Sequence, residues 1–490
     1  MKRVILAFML CFGGIHTQAS TLQNVISHVL DTNPMILERL HNYKAKQAEI
    51  GIAEAGYYPT VDIESAAGRK TTGRISGDIL HNTYNIFQNS LVLRQNIFNG
   101  FATDAQVNYQ KMSTLSAAYS YLNKANDLSL QAIKVYLNLE KEKTLLENAK
   151  LNVKHNQNTY KKVKSRYDSG LALASEVSKI HASLSLSKSN LRVQKNKLMN
   201  AHNDFKRVVG TSIDTHSLKH TTRNIKLPES KKKAISYALQ YNPSLLAGKY
   251  NIKGAKALYN ESKSSFYPKV NLELSQQYNK NHNEFLGTDD RAQGMVVLSY
   301  NLYNGGADEA KKLNAMSRLN QEVSLTDDLK REVLDRLYFA WNSHKLAKEQ
   351  MQFLNTYKKE SHTILNLYTE EYLLGKRPML DIISAENDYK NAKDELVATQ
   401  YNILLSKYEI LHSMGLTIAS ILGEEKTYFK RVNIKKQSYS PTIVAPQKEE
   451  LLNKEPLSTK PLTSPTITKG IQKRESSIFD VFTKVRWESR

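Results

Sequence analysis

The chain repeats itself, and the register of the repeat limits the architectures open to it. Ile26-Ser27, Leu30, Asn33-Pro34, Asn42, Lys44, Ala48 and Tyr58-Pro59 recur as Ile235-Ser236, Leu239, Asn242-Pro243, Asn251, Lys253, Ala257 and Tyr267-Pro268, always 209 positions apart. Asn96-Ile97-Phe98-Asn99-Gly100 recurs as Asn301-Leu302-Tyr303-Asn304-Gly305, and Tyr167 and Gly170 recur as Tyr372 and Gly375, now 205 positions apart. The four-residue change falls between Pro59 and Asn96, so one connecting loop absorbs it. A duplication that holds its phase this way means two copies of one supersecondary unit, predicted at 20–219 and 228–424.

Within each unit the hydrophobic period changes. From Leu22 to Tyr57 and from Ala234 to Phe266 the apolar residues recur at helical spacing, with Asn33-Pro34 and Asn242-Pro243 marking early breaks. Pro59 and Pro268 end these helices, because proline restricts the residue before it and cannot continue the hydrogen-bond ladder. The period then becomes two. Val61 and Ile63 alternate with Asp62 and Glu64, and Val270, Leu272 and Leu274 alternate with Asn271, Glu273 and Ser275. Leu91, Leu93 and Ile97 share one face of the first return strand; Val296, Leu298, Tyr300 and Leu302 share one face of the second. The spacing predicts β-hairpins at 60–98 and 269–303, with tips at 68–88 and 279–293, closed by turns at Gly100 and Gly305.

Proline-free segments follow at 99–170 and 304–375, which as helices would span roughly 100 Å at about 1.5 Å per residue. Ala118, Tyr121, Ala125, Leu128, Ala132, Val135 and Leu139 alternate three- and four-residue steps, the spacing of a narrow coiled-coil seam. Past the turn glycines Gly170 and Gly375, return helices are predicted at 175–209 and 379–414, giving a wall of antiparallel helices below the strands.

Composition removes other classes. Lys2 and Arg3, an apolar run over 4–14 and Thr17-Gln18-Ala19 read as a secretory signal peptide at 1–19. The single cysteine, Cys11, lies inside it, so the mature chain is expected to hold no disulfide, catalytic thiol or zinc thiolate. No later run reaches eighteen consecutive apolar residues. The net charge of +22 comes from cations interleaved with acids along helices, which reads as solvated helix faces and not as a nucleic-acid surface, although it could favour lipid phosphates or acidic cargo. The thirteen histidines show no metal spacing, Asp327-Asp328 reads as exposed charge, and no phosphate loop or nucleophile motif appears. Neither enzyme activity nor a catalytic residue, metal or cofactor is expected. The segment 425–490, rich in Pro, Lys, Ser and Thr, is expected to be a largely disordered periplasmic tail, with an apolar patch at 478–485 that includes Phe479 and Phe482.

Four strands cannot close a cylinder around a pore, and an open edge in lipid leaves backbone groups without partners. Several copies must therefore contribute strands. The ordered and duplicated signals, Tyr-Pro before each first strand, Asn-Ile-Phe-Asn-Gly and Asn-Leu-Tyr-Asn-Gly-Gly after each second strand, and Tyr372-Leu-Leu-Gly375 followed by Pro378-Met-Leu-Asp381-Ile, resemble those of the TolC family over roughly 21–422. The resemblance implies a mainly α fold with β-hairpins: a homotrimer with one twelve-strand outer-membrane β-barrel and a long periplasmic α-helical barrel. It implies a passive exit duct for type I protein secretion or multidrug efflux. A periplasmic adaptor and an inner-membrane transporter, of the ABC type or proton-driven, would open it. It further places Arg377, Asp381 and Tyr372 at a periplasmic constriction, with Glu176 receiving both Tyr372 and Arg377. Ser384 stands where family members carry a second inward aspartate, which weakens the expected cation block at an Asp381 ring. The rival reading is a secreted coiled-coil scaffold or adhesin, whose hairpins merely pack between helices.

Overall fold

The computed structural model describes residues 21–72, 82–214, 218, 225–281, 287–422 and 431–432. The predicted signal peptide, and the predicted tail apart from 431–432, lie outside these residues.

Each repeat is built in the same order. In the first, α1 (Leu22–Thr32) and α2 (Pro34–Glu54) lead through a 3-10 turn to β1 (Thr60–Thr72) and β2 (Asn82–Phe98), then α3 (Ala102–Asp168) and α4 (Ala174–Val209). In the second, α5 (Lys231–Tyr241) and α6 (Pro243–Glu261) precede β3 (Lys269–Lys280) and β4 (Thr288–Ser299), then α7 (Ala307–Leu373) and α8 (Met379–Ser413). A short α9 (Thr417–Leu422) ends the helical part. The Asn-Pro pairs act as joints in both repeats. Asn33 ends α1, and its side chain accepts a hydrogen bond from the Met35 N–H while Pro34 opens α2. Asn242 does the same between α5 and α6, bonding Ser244 N at 2.9 Å. Proline costs nothing there, because the first N–H of a helix has no intrahelical acceptor.

The four strands form one antiparallel meander in the order β1-β2-β3-β4. The register puts Val61 opposite Leu93, Ile63 opposite Leu91, Leu93 opposite Leu274, and Leu272 opposite Val296, so one face carries an apolar band across the four strands. That face is uncovered: Ile63 is 81% exposed and Val296 67%. Exposed apolar area of this extent marks an interaction surface, and in a sheet with two-residue alternation the fitting solvent is lipid. The opposite face carries Asp62, Arg94 and Glu273, with Arg94 3.3 Å from Asp62 and 3.7 Å from Glu273 across three strands.

The strands differ from the sequence expectation at both ends. The ladders run on to Thr72–Asn82 and Lys280–Thr288, because polar pairs such as Thr71 with Thr83 and Asn279 with Asp289 keep backbone pairing where hydrophobic alternation fades. A register shift between Asn96 and Phe98 marks a bulge. The last strand stops at Ser299, which leaves Tyr300 and Leu302 beyond it, both exposed.

The long helices α3 and α7 are each 67 residues. Below the sheet α3 packs first against α2 and α6; farther on it packs against α4 and α8, and α7 runs beside α6 and then α8. The helix order in this lower part is therefore α4-α3-α8-α7, with the two repeats meeting along α3 and α8. The burial of α3 is broader than a two-position seam. Ala118, Tyr121, Ala125, Leu128, Ala132 and Leu139 are buried as the spacing predicts, but Ser129, Ile133, Tyr136 and Leu137 are buried too, and Val135 is only half-buried. An inner helix with neighbours on two sides needs more than one apolar stripe. Among the described residues no helix is long and apolar enough to cross a membrane.

Candidate functional site

The end of the helical wall far from the sheet holds the turns that join α3 to α4 and α7 to α8. Both long helices end the same way. Gly170 and Gly375 adopt φ values of +74° and +72°, a left-handed conformation that costs glycine nothing. Gly170 N donates to Tyr167 O and Leu171 N to Arg166 O; Gly375 N donates to Tyr372 O and Lys376 N to Glu371 O. These paired bonds satisfy carbonyls that the helix end would leave open. Each return helix then begins with an acid in its first turn, Glu176 in α4 and Asp381 in α8, where the partial positive charge of a helix N-terminus favours a carboxylate. Their positions differ by the same 205 residues as the glycines.

A small apolar core holds the four helices together here. Val163 of α3, Ile180 of α4, Leu365 and Tyr372 of α7, and Met379, Ile382 and Ala385 of α8 are all buried. Tyr372 sits within it and sends its hydroxyl to Glu176 Oε2, 3.3 Å away, linking α7 to α4. Burial and the Glu176 carboxylate push the Tyr372 hydroxyl up from its ordinary pKa, so it stays protonated and able to donate.

Arg377 makes a different set of contacts from the one the resemblance implies. Its Nε donates to Glu371 at 2.7 Å and its Nη1 to Asp381 at 3.1 Å, while the guanidinium lies 4.1 Å from the centre of the Tyr368 ring. Glu176 therefore receives Tyr372 but not Arg377. The reason is local: α7 and α8 bracket the turn that carries Arg377, so their own carboxylates are nearer than one on α4. Asp381 is tied to this local fork, and Ser384, one turn later, is exposed. Sequence reasoning missed Glu371, Tyr368 and Arg166. Arg166 lies 5.2 Å above the Tyr372 ring; the only trace in the sequence is that it stands 205 positions before Glu371, with opposite charge.

Higher on the same wall, His155 of α3 meets Glu386 of α8 at 2.8 Å across the junction of the repeats. The Glu386 side chain is 5% exposed, whereas the His155 ring is half open. The hydrogen bond that His155 Nε2 donates to the Glu386 carboxylate raises the His155 pKa, against the opposing effect of burial. A raised histidine pKa stabilises the fold fully below its unfolded value of about 6.5, and the contribution is lost as pH rises through the folded value. His155→Ala is therefore expected to cost about 1 kcal/mol, a figure discounted for the open ring. The loss of thermal midpoint in detergent should be larger at pH 6 than at pH 8.5; an equal loss at both would exclude the charged pair.

The turns at the sheet end differ between repeats. Gly100 has φ +68° and sits tightly against the second repeat, while Gly305, at φ +58°, has open space around it. Pro59 and Pro268 precede β1 and β3, and each follows a 3-10 turn.

Comparison with known proteins supports this architecture on both of its scales. The chain is 21% identical over 438 residues to the outer membrane efflux protein BepC of Brucella suis, covering 88% of this chain and 93% of that one. It is 19% identical to the alkaline protease secretion protein AprF of Pseudomonas aeruginosa, covering 76% and 80%. Its fold matches the crystal structure of the outer membrane protein VceC of Vibrio cholerae with a TM-score of 0.70 at 17% identity, over 80% of this chain and 96% of that one. The family model described as outer membrane efflux protein matches twice, at residues 25–211 and 234–416, once for each structural repeat. With most of its length matched in this way, the chain belongs to the outer membrane efflux protein family, with the TolC-like fold of an outer-membrane exit channel.

Proposed function

We propose that three copies of this chain close one twelve-strand barrel and one helical tunnel, forming the passive outer duct of a tripartite export system. The observation that carries this is the lipid-suited sheet with two unpaired edges. Among the described residues strands β1 and β4 have neighbours on one side only, and in a bilayer those edges require strands from other copies. The outer helices support the same closure. On α7, Phe339, Leu346 and Phe353 recur every seven residues and are 72%, 63% and 75% exposed; on α4, Leu186 and Val193 are likewise seven apart and exposed. Heptad stripes without partners fit coiled-coil pairing of α7 in one copy with α4 of the next.

The turn end acts as the periplasmic gate, held by Tyr372 on Glu176, while the Arg377 fork, bonded to Glu371 and Asp381, stiffens the turn between α7 and α8. An adaptor opens it, and an inner-membrane transporter, ABC-type or proton-driven, supplies the energy. Protein secretion and drug efflux can share such a duct, and the basic C-terminal segment favours secretion. Comparing secreted proteins and drug susceptibility after gene deletion separates the two cargoes.

The gate is tested by conductance in planar bilayers. Tyr372→Phe and Glu176→Ala each remove the Tyr372–Glu176 hydrogen bond, worth about 1 kcal/mol, from every copy. Each is expected to raise conductance severalfold over the wild type, with the double variant no more open than the more open single. Unchanged conductance in both would end the gate reading.

A further inference from the structure

We infer that Arg166 is a positioning residue of the gate, pinning the Tyr372 ring so that its hydroxyl stays on Glu176. This inference rests on the gate reading above and adds to it a residue from the first repeat. Arg166 lies in the last turn of α3, half-buried, with its guanidinium 5.2 Å from the centre of the Tyr372 ring. Tyr372 is 7% exposed and belongs to α7, so the contact joins the two repeats.

Two features separate this contact from an ordinary surface stacking. First, the Arg166 Nε is buried and makes no hydrogen bond among the described residues. A buried donor without an acceptor is costly, so a hydrogen bond through Nε is not what holds this side chain. The face of the Tyr372 ring offers compensation, since a guanidinium over an aromatic ring is attracted by the ring's negative face and gains when water is excluded. Second, Arg166 acts on the same hydroxyl that Glu176 binds. Burial and Glu176 push that hydroxyl up, while Arg166 pulls it down. The tyrosine is thus placed between a cation from α3 and a carboxylate from α4, and it ties α7 to both of these helices of the first repeat.

The second repeat does not reproduce this arrangement. Glu371 stands at the position equivalent to Arg166, and the second arginine, Arg377, stacks on Tyr368 and binds acids of its own helix pair. The clamp across the repeats therefore depends on Arg166, and the Arg377 fork stiffens the turn that moves with α7 and α8.

A basic residue in the last turn of a helix also has a simpler use, in facing the helix dipole. The experiment separates the two. Arg166→Gln, Arg166→Lys, Tyr372→Leu and the Arg166→Gln/Tyr372→Leu double variant are purified as oligomers, checked for heat-resistant assembly on gels and compared in planar bilayers. Arg166→Gln is expected to raise open probability about threefold to tenfold, the range a partly desolvated cation–ring contact gives. Arg166→Lys keeps the charge without the planar face and should recover only part of the closed state. In the Tyr372→Leu background, Arg166→Gln should add nothing, because the ring through which it acts is gone.

Full closure in Arg166→Lys together with opening in Arg166→Gln would leave only the helix-end charge and overturn the inference. So would an additional effect of Arg166→Gln in the Tyr372→Leu background. A silent Arg166→Gln beside an open Tyr372→Leu would overturn the inference and leave the gate reading intact. A silent Tyr372→Leu would overturn the gate reading itself. Should Arg166→Gln not assemble, Arg166→Lys alone and combined with Tyr372→Leu supplies the same comparison.

Discussion

Gly100→Ala is expected to be the most destabilising single-methyl change among the turn glycines at 100, 170, 305 and 375, costing about 3 kcal/mol or more, whereas Gly305→Ala should cost about 1 kcal/mol. The two glycines are equivalent in the repeat, and both have positive φ. A methyl at Gly100 would lie 2.5 Å from the Ser264 carbonyl oxygen and 2.9 Å from the Tyr267 Cβ; around Gly305 nothing lies within 4 Å. The obstacle at Gly100 includes backbone, which cannot swing aside as a side chain can. The neighbouring Phe101 raises the cost further. It is itself left-handed, at φ 66°, and its ring meets Phe98 at 5.2 Å and Tyr267 at 6.0 Å, both edge-on. Any shift that relieves the methyl breaks this aromatic contact between the repeats. The yield of heat-resistant oligomer in outer-membrane fractions and its urea midpoint give the comparison; equal behaviour of the two variants would mean that the close approach to Ser264 is relieved without cost.

Phe339→Asp combined with Phe353→Asp should abolish the oligomer while leaving each chain helical. These rings are among the most exposed large side chains on α7 and make little contact within the chain. Burial of each is worth about 1.5–3 kcal/mol, so a seam between copies loses about 3 kcal/mol or more, before the cost of setting carboxylates into an apolar groove. Three seams would fail together. Leu186→Asp with Val193→Asp on α4 should give the same monomers from the other side of the seam. Light scattering in detergent measures the mass, and circular dichroism confirms that the helices persist. A full-sized oligomer from the α7 variant would show that this stripe faces something other than a second copy.

The repeat made the element order legible, because the Asn-Pro joints, the Tyr-Pro stops and the glycine turns are strong local signals that need no tertiary context. The apolar alternation of Val61, Ile63, Leu272 and Leu274 located the lipid-suited face for the same reason. The ends of the strands were less visible, since pairs such as Thr71 with Thr83 are held by backbone bonds that leave no period in the side chains. The burial of α3 was underestimated because one stripe predicts one neighbour, while its position in the wall gives it several. At the turn end the resemblance pointed to Tyr372 and Glu176, which the fold brings together, and to Arg377, which it brings to Glu371 and Asp381 instead. The choice among carboxylates depends on distances between helices from different repeats. Arg166 escaped for a related reason, as its partner is a ring about two hundred positions away and no motif joins them.

The equal lengths of α3 and α7 make them a matched pair of rulers between the sheet and the turns at the far end of the helical wall. Removing one residue from either helix would shorten it by about 1.5 Å and turn everything beyond the cut by about 100°, because each residue contributes a fixed rise and rotation. A deletion in α3 would point Arg166 away from the tyrosine it faces, even with every side chain unchanged. Insertions and deletions are therefore tolerable in the hairpin tips, where the repeats already differ, but in the shafts only as compensated changes in both copies. The phase of the helix carries the alignment of parts that lie roughly 100 Å apart.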